Sequence, residues 1–160
     1  LLLQNQLCFP LYAAAKETVR CYRAYLDQLG LTYTQYIAMM ALWEHKKMTI
    51  SEMGRLLYLD SGTLTPMLKK MEQAGLIMRT RSATDERNVE ITLTDAGWEM
   101  REKAMHVPSG MAQFVNLEPG EVIQLYHLLY KLLSHLIQMC KCTQLMLHMF
   151  VHLFQQLQIL

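Results

Sequence analysis

The chain has 160 residues, 52% of them hydrophobic and 18% charged, with a formal net charge of +1. That length suits one domain, or one domain with an extension that associates with a second copy. The near-neutral balance excludes a globally basic nucleic-acid binder, so any surface for a polyanion must be local. So apolar a composition implies a buried surface beyond one subunit's own core.

From about Gln6 to Leu29, apolar residues recur at three- and four-residue spacing (Leu7, Leu11, Ala14, Thr18, Tyr22, Tyr25), which predicts a helix stopped by Gly30. The opening LLLQNQLCFPLYAAAK lacks a basic leader and its apolar run is broken by Pro10, so it is read as the start of this helix and not as an export signal. Thr34 is expected to cap a second helix through about His45. Thr49, with Glu52 three residues on, forms a capping box for a short third helix that turns Met53, Leu56 and Leu57 inward. Tyr58 to Ser61 is then a turn, and a fourth helix runs from Ser61 or Thr63 to Ala74. Its Leu64, Met67, Leu68 and Met71 form one apolar stripe, with Thr65, Pro66, Lys69, Lys70 and Gln73 opposite. Pro66 either sets the helix start near Thr63 or bends the opening turn.

Gly75 closes that helix. Leu76 to Arg81 and Val89 to Leu93 are strand candidates joined by a charged turn, Ser82 to Arg87. Thr94 caps a helix from about Asp95 to Val107, which Pro108, Ser109 and Gly110 interrupt or end. A last helix starts near Pro119, where Val122, Leu125, Leu129, Leu132 and Leu136 make a seam suited to helix packing. After Lys141 the tail carries no Asp, Glu, Lys or Arg; it is expected to be a further helix buried between subunits, and nothing in the chain suits a membrane span. The order helix, turn, helix, strand, loop, strand is that of a winged helix-turn-helix, in a fold that is mainly α with a small β-wing.

A helix that enters the major groove needs short polar side chains near its start and cations for phosphate. Ser61, Thr63 and Thr65 with Pro66 supply the first, Lys69 and Lys70 the second. The wing carries Arg79, Arg81 and Arg87, and an Arg at a loop tip suits a narrow, electronegative minor groove. Asp85, two residues before Arg87, is placed to hold its guanidinium or to brace the loop. From Ser61 to Val89 there are five Lys/Arg against three Asp/Glu, a local excess of +2 that a dimer doubles. Double-stranded DNA is the expected partner.

The stretch DSGTLTPMLKKMEQAGLI followed by RSATDERNVEITLT resembles the MarR family of dimeric winged-helix transcriptional regulators, over roughly Asn5 to Leu136. The resemblance implies a cytoplasmic homodimer on an inverted-repeat operator. In its terms, residues 1–30 and 95–160 supply dimerisation helices around a DNA-binding domain at 31–94.

Four cysteines occur, Cys8, Cys21, Cys140 and Cys142, too few and too irregularly spaced for a disulfide scaffold. Cys8 opens the first helix, where unpaired N–H groups and the dipole favour an anion. On periodicity alone the expected reading of Cys8 is a small buried hydrophobe. The segments QLCFPLY and LTYTQY, with Tyr22 between them, resemble the organic-hydroperoxide-sensing OhrR branch of the family. That resemblance implies that Cys8 is a peroxide sensor, hydrogen-bonded across the dimer by Tyr22 and Tyr33 with Tyr12 nearby. It further implies a repressor released when organic hydroperoxide oxidises Cys8. Between Asp95 and Met139 there is no cysteine to resolve the sulfenic acid, which favours the subtype that uses an external small thiol. No cofactor is expected; Cys140 and Cys142 with His135 or His148 are a weak metal signal. The alternatives are a regulator controlled by a small aromatic ligand, with Cys8 structural, and a thiol peroxidase. The second lacks a His or Arg within a helical turn of Cys8 to activate it.

Overall fold

The computed structural model describes residues 2–81 and 89–157, with side chains described for 2–81 and 89–139. A single 3-10 turn, Leu3–Asn5, precedes helix α1 (Cys8–Leu29); α2 spans Tyr33–His45, α3 Ile50–Leu57 and α4 Ser61–Gln73. Strands β1 (Lys47–Thr49), β2 (Ile77–Arg81) and β3 (Val89–Leu93) form an antiparallel sheet in the order β1-β3-β2. Helices α5 (Asp95–Ala104), α6 (Val107–Ala112) and α7 (Pro119–Leu157) follow. The chain forms two compact units, Leu1–Val115 and Asn116–Leu160.

Local chemistry sets the boundaries. Gly30 and Gly75 both adopt positive φ. After α4, the Gly75 N–H reaches the Glu72 carbonyl and the Leu76 N–H the Met71 carbonyl, a Schellman closure that only a left-handed residue makes cheaply. Thr49 and Glu52 cap α3 reciprocally, as expected. The cap of α2 is Thr32 and not Thr34, because Gln35 lies three residues after Thr32 and completes a box with it. Asp60 caps α4, which therefore starts at Ser61 and carries Pro66 inside it as its sixth residue.

Three further expectations change. Lys47–Thr49 pairs with β3, Met48 opposite Ile91, and so forms a strand where only a lead-in to α3 was expected. Leu56 is exposed, because Met53 and Leu57 already occupy the inward face of α3. Pro108, Ser109 and Gly110 do not interrupt a helix; the break falls at Met105 and His106, and Pro108 sits in the first turn of α6, where its missing N–H costs nothing. The chain after Lys141 continues α7 to Leu157 without a break.

The larger core joins α2, α3, α4 and the sheet through Met39, Leu42, Met53, Leu64, Leu68 and Ile91, all essentially buried. Each such side chain contributes roughly 1.5–3 kcal/mol by leaving water. A second cluster packs Leu26 of α1 and Tyr36 of α2 against Ala104, Val107 and Met111. Trp43 bridges both clusters and donates its indole N–H to the Gly97 carbonyl at 2.9 Å. The N-terminal half of α1 shares in neither: Leu7 and Leu11 of its periodic face are exposed, and Leu26 is its single buried residue. Among the described residues no helix is long and apolar enough to cross a membrane.

Candidate nucleic-acid interface and thiol site

The turn between α3 and α4 is held tightly. Tyr58 takes a left-handed conformation, and the Leu59 N–H returns to the Gly54 carbonyl at 3.0 Å. A Cβ on Gly54 would lie 2.8 Å from the Leu59 carbonyl oxygen, so the close approach needs glycine. This fixes α4 with its apolar stripe on the core and its polar face outward. Ser61, Thr63, Pro66, Lys69 and Lys70 are exposed and Thr65 is half-buried. Among the described residues Lys69 and Lys70 make no ion pair. Thr63 is committed to the cap: its N–H and hydroxyl donate to the Asp60 carboxylate at 2.9 and 2.8 Å. Those bonds hold the Asp60 carboxyl below its ordinary pKa.

The wing arginines divide. Arg79 gives Nε and Nη2 to Glu72 Oε2 at 2.9 and 2.7 Å, and its backbone N–H to Oε1 at 3.2 Å. Its guanidinium is thus occupied in tying β2 to α4. Arg81, exposed at the end of β2, makes no ion pair among the described residues. Asp85 and Arg87 lie outside the described residues.

Sequence reasoning passed over a groove of about 510 Å³ between α3, α4 and the first residue of β3, lined in part by Ser51, Arg55, Ser61 and Thr65. A signal for Arg55 was present. Glu52, its natural i,i+3 partner, is claimed by the Thr49 cap at 2.7 and 2.9 Å, which leaves Arg55 without an ion pair among the described residues.

Cys8 is the first residue of α1 and is exposed; Tyr12, one turn on, is also exposed, with the Lys16 ammonium 6.0 Å from its ring centre. Tyr22 and Tyr33 meet with ring centres 4.9 Å apart, and Tyr36, not singled out from the sequence, packs 5.9 Å from Tyr22. Burial raises the pKa of all three phenols, aided at Tyr22 by Tyr33 and at Tyr36 by both neighbours. They therefore remain protonated and able to donate. Among the described residues neither the Tyr22 nor the Tyr33 hydroxyl makes a hydrogen bond. The fourteen residues from Cys8 to Tyr22 span about 21 Å of helix at 1.5 Å each. One chain therefore brings Tyr22 to Tyr33 but does not bring Cys8 to either.

A polar-faced helix set by a tight turn and followed by a β-hairpin defines a winged helix-turn-helix protein. A family model described as transcriptional regulator SarA/Rot matches residues 20–104. The chain is 50% identical over 136 residues to the organic hydroperoxide resistance transcriptional regulator of Bacillus subtilis (strain 168), over 85% of this chain and 92% of that one. The structure of reduced AbfR bound to DNA matches with a TM-score of 0.72 at 39% identity, over 84% of this chain and 94% of that one. AbfR, from Staphylococcus epidermidis, is also known overoxidised on DNA and with a disulfide formed. A MarR mutant from E. coli complexed with operator DNA matches with a TM-score of 0.72 at 27% identity, over 77% of this chain and 90% of that one. The chain belongs to the MarR family of winged-helix transcriptional regulators, in its organic-hydroperoxide-sensing OhrR branch.

Proposed function

We propose that this protein is a redox-sensing transcriptional repressor that binds an inverted-repeat DNA operator as a homodimer and is released when organic hydroperoxide oxidises Cys8. Helices from residues 1–30 and 95–160 form the dimer, and residues 31–94 read DNA through Ser61, Thr65, Pro66, Lys69 and Lys70 with the wing. The observation that carries the sensing half is the separation within one chain. An exposed thiol opens α1, while two phenols that make no hydrogen bond among the described residues, Tyr22 further along α1 and Tyr33 at the start of α2, pair with ring centres 4.9 Å apart. A second subunit is what brings a thiol to those donors.

The chemistry then runs in two steps. The Cys8 thiolate attacks the outer oxygen of the hydroperoxide; the O–O bond breaks, the sulfur becomes a sulfenic acid, and the alkoxide leaves as an alcohol after taking a proton. A small thiol condenses with the sulfenic acid, expelling water and leaving a mixed disulfide. AbfR is found on DNA in its overoxidised form, which supports the bulky disulfide, and not a higher oxide, as the releasing species here. Bulk inserted beside Tyr22 and Tyr33 changes the dimer geometry, and with it the spacing of the two α4 helices, which a dimeric reader cannot compromise.

The test is a DNA-binding titration with and without organic hydroperoxide and a small thiol, with mass spectrometry of Cys8 on the same sample. Wild-type protein is expected to lose the operator with a mixed disulfide on Cys8, and Cys8→Ser to hold it. Release of Cys8→Ser equal to wild type would remove Cys8 from the mechanism. Release by salicylate-like compounds alone would favour control by an aromatic ligand.

A further inference from the structure

The groove between α3, α4 and the start of β3 holds a cation that the helix-turn-helix plan does not use. Arg55 lines it with the hydroxyls of Ser51, Ser61 and Thr65. The Arg55 charge is felt at Glu52, whose carboxyl it helps to lower, but without a direct ion pair. The carboxylate of Glu52 faces Thr49, accepting from both its N–H and its hydroxyl, and no carboxylate lies within ion-pair distance of Arg55 among the described residues. The support behind it is stiff: α3 is capped at its start by Thr49 and closed by the left-handed Tyr58. The groove floor is Gly54 against Leu64, a side chain with 1% exposure. An unpaired guanidinium and hydroxyl donors around an open groove make a site for an oxyanion with several acceptor atoms. A phosphodiester, with two charged non-bridging oxygens, fits that donor set, and beside the DNA-reading helix α4 the duplex backbone is what supplies one.

On the proposed DNA-reading function, which this inference deepens, we infer that Arg55, with Ser51 beside it on α3, grips a backbone phosphate of the operator at the groove that Ser61 and Thr65 of α4 border. Arg55 is then a positioning contact. It fixes the depth and tilt at which α4 lies in the groove and carries no base information. It differs from Lys69 and Lys70, which sit on α4 itself, in anchoring the preceding helix, so that the strand is held on two elements whose relation the Gly54 turn makes rigid.

The experiment compares wild type, Arg55→Gln and Arg55→Lys on the operator and on a scrambled duplex across a salt series. Gln keeps the stem and a polar head but removes the charge, so the fold is retained. Arg55→Gln is expected to weaken both duplexes by a similar factor, on the order of tenfold, and to lower the salt slope by about one per protomer. Arg55→Lys is expected to restore the slope. An unchanged slope in Arg55→Gln, with wild type binding normally, overturns the phosphate contact and leaves the DNA-binding reading standing. A loss confined to the operator makes Arg55 a base reader and also overturns the assignment. A wild type that binds neither duplex sinks the function on which the inference rests.

Discussion

Glu72 does more for the wing than its place on a solvated helix face suggests. Its two oxygens take three donors from Arg79, so one carboxylate fixes both the backbone at the middle of β2 and the Arg79 side chain against α4. The Arg79 hydrogen bond, then its charge, hold the Glu72 carboxyl below its ordinary 4.5. A carboxyl depressed in the folded state contributes stability that is present above 4.5 and lost as the pH falls through the folded value. Glu52 and Asp60 are lowered in the same direction by their caps, so acid strikes the ends of α3 and α4 and the root of the wing together. Glu72→Gln removes one of these three terms. Urea midpoints taken from pH 7 down to pH 3 should fall less steeply for Glu72→Gln than for wild type; parallel curves would mean that the ion pair is energetically silent, as many exposed pairs are. The same variant, with β2 no longer held to α4, should bind DNA more weakly at pH 7, because Arg81 is carried on that strand.

At the scale of elements, the joint between wing and α5 is a close backbone approach. Thr94 caps α5 by accepting the Gly97 N–H at 3.1 Å, and it also donates to the Gly75 carbonyl at the end of α4. A Cβ on Gly97 would run into the Leu76 carbonyl oxygen, which is backbone and cannot swing away. Gly97→Ala should therefore destabilise the protein by about 1–3 kcal/mol, in spite of Ala's better helix propensity, whereas Thr94→Ala should cost about 1 kcal/mol for the lost cap. Thermal melts rank the two, and a Gly97→Ala protein as stable as wild type would show that α5 can slide off Leu76. The contrast explains what could be seen in the sequence. The Thr49 box, the α4 stripe and the two wing strands rest on patterns of four to thirteen residues and were legible. Strand β1 was not, because three residues carry no period and its pairing with β3 joins positions more than forty apart. The Thr32 box was present in the spelling Thr-x-x-Gln, but Thr34 stood nearer the apolar run. Arg79 and Arg81 looked alike as wing cations; Glu72, seven residues upstream, separates them, and only the closed Schellman turn brings it there. Cys8, Tyr22 and Tyr33 were named by resemblance, and the single chain leaves the cysteine apart from the phenols because the contact it implies belongs to two chains.

The whole molecule carries apolar side chains at both ends that one subunit does not cover. Phe9 and Leu11 on α1, and Val122, Leu125, Leu129 and Leu136 on α7, are each between 38% and 48% exposed. The α7 set recurs at three and four residues, the spacing of a helix-packing seam. Scattered apolar residues on a surface need no explanation, but a continuous row along a helix does. Two subunits are also what the proposed switch needs, since Cys8 and Tyr22 lie about 21 Å apart along α1. One pair of substitutions addresses both the row and the switch. Leu125→Glu combined with Leu129→Glu places charge in the seam while leaving residues 1–115, a compact unit by themselves, intact. Sedimentation of this variant at micromolar concentration is expected to give the monomer mass, with the helical signal retained. On a two-site operator its salt slope should be about half that of wild type, because one winged helix makes half the phosphate contacts. Its Cys8, deprived of a partner's Tyr22 and Tyr33, should react with organic hydroperoxide more slowly. A variant that remains dimeric would move the interface away from this seam, and a monomer whose Cys8 reacts at the wild-type rate would show that the phenols do not assist the thiol.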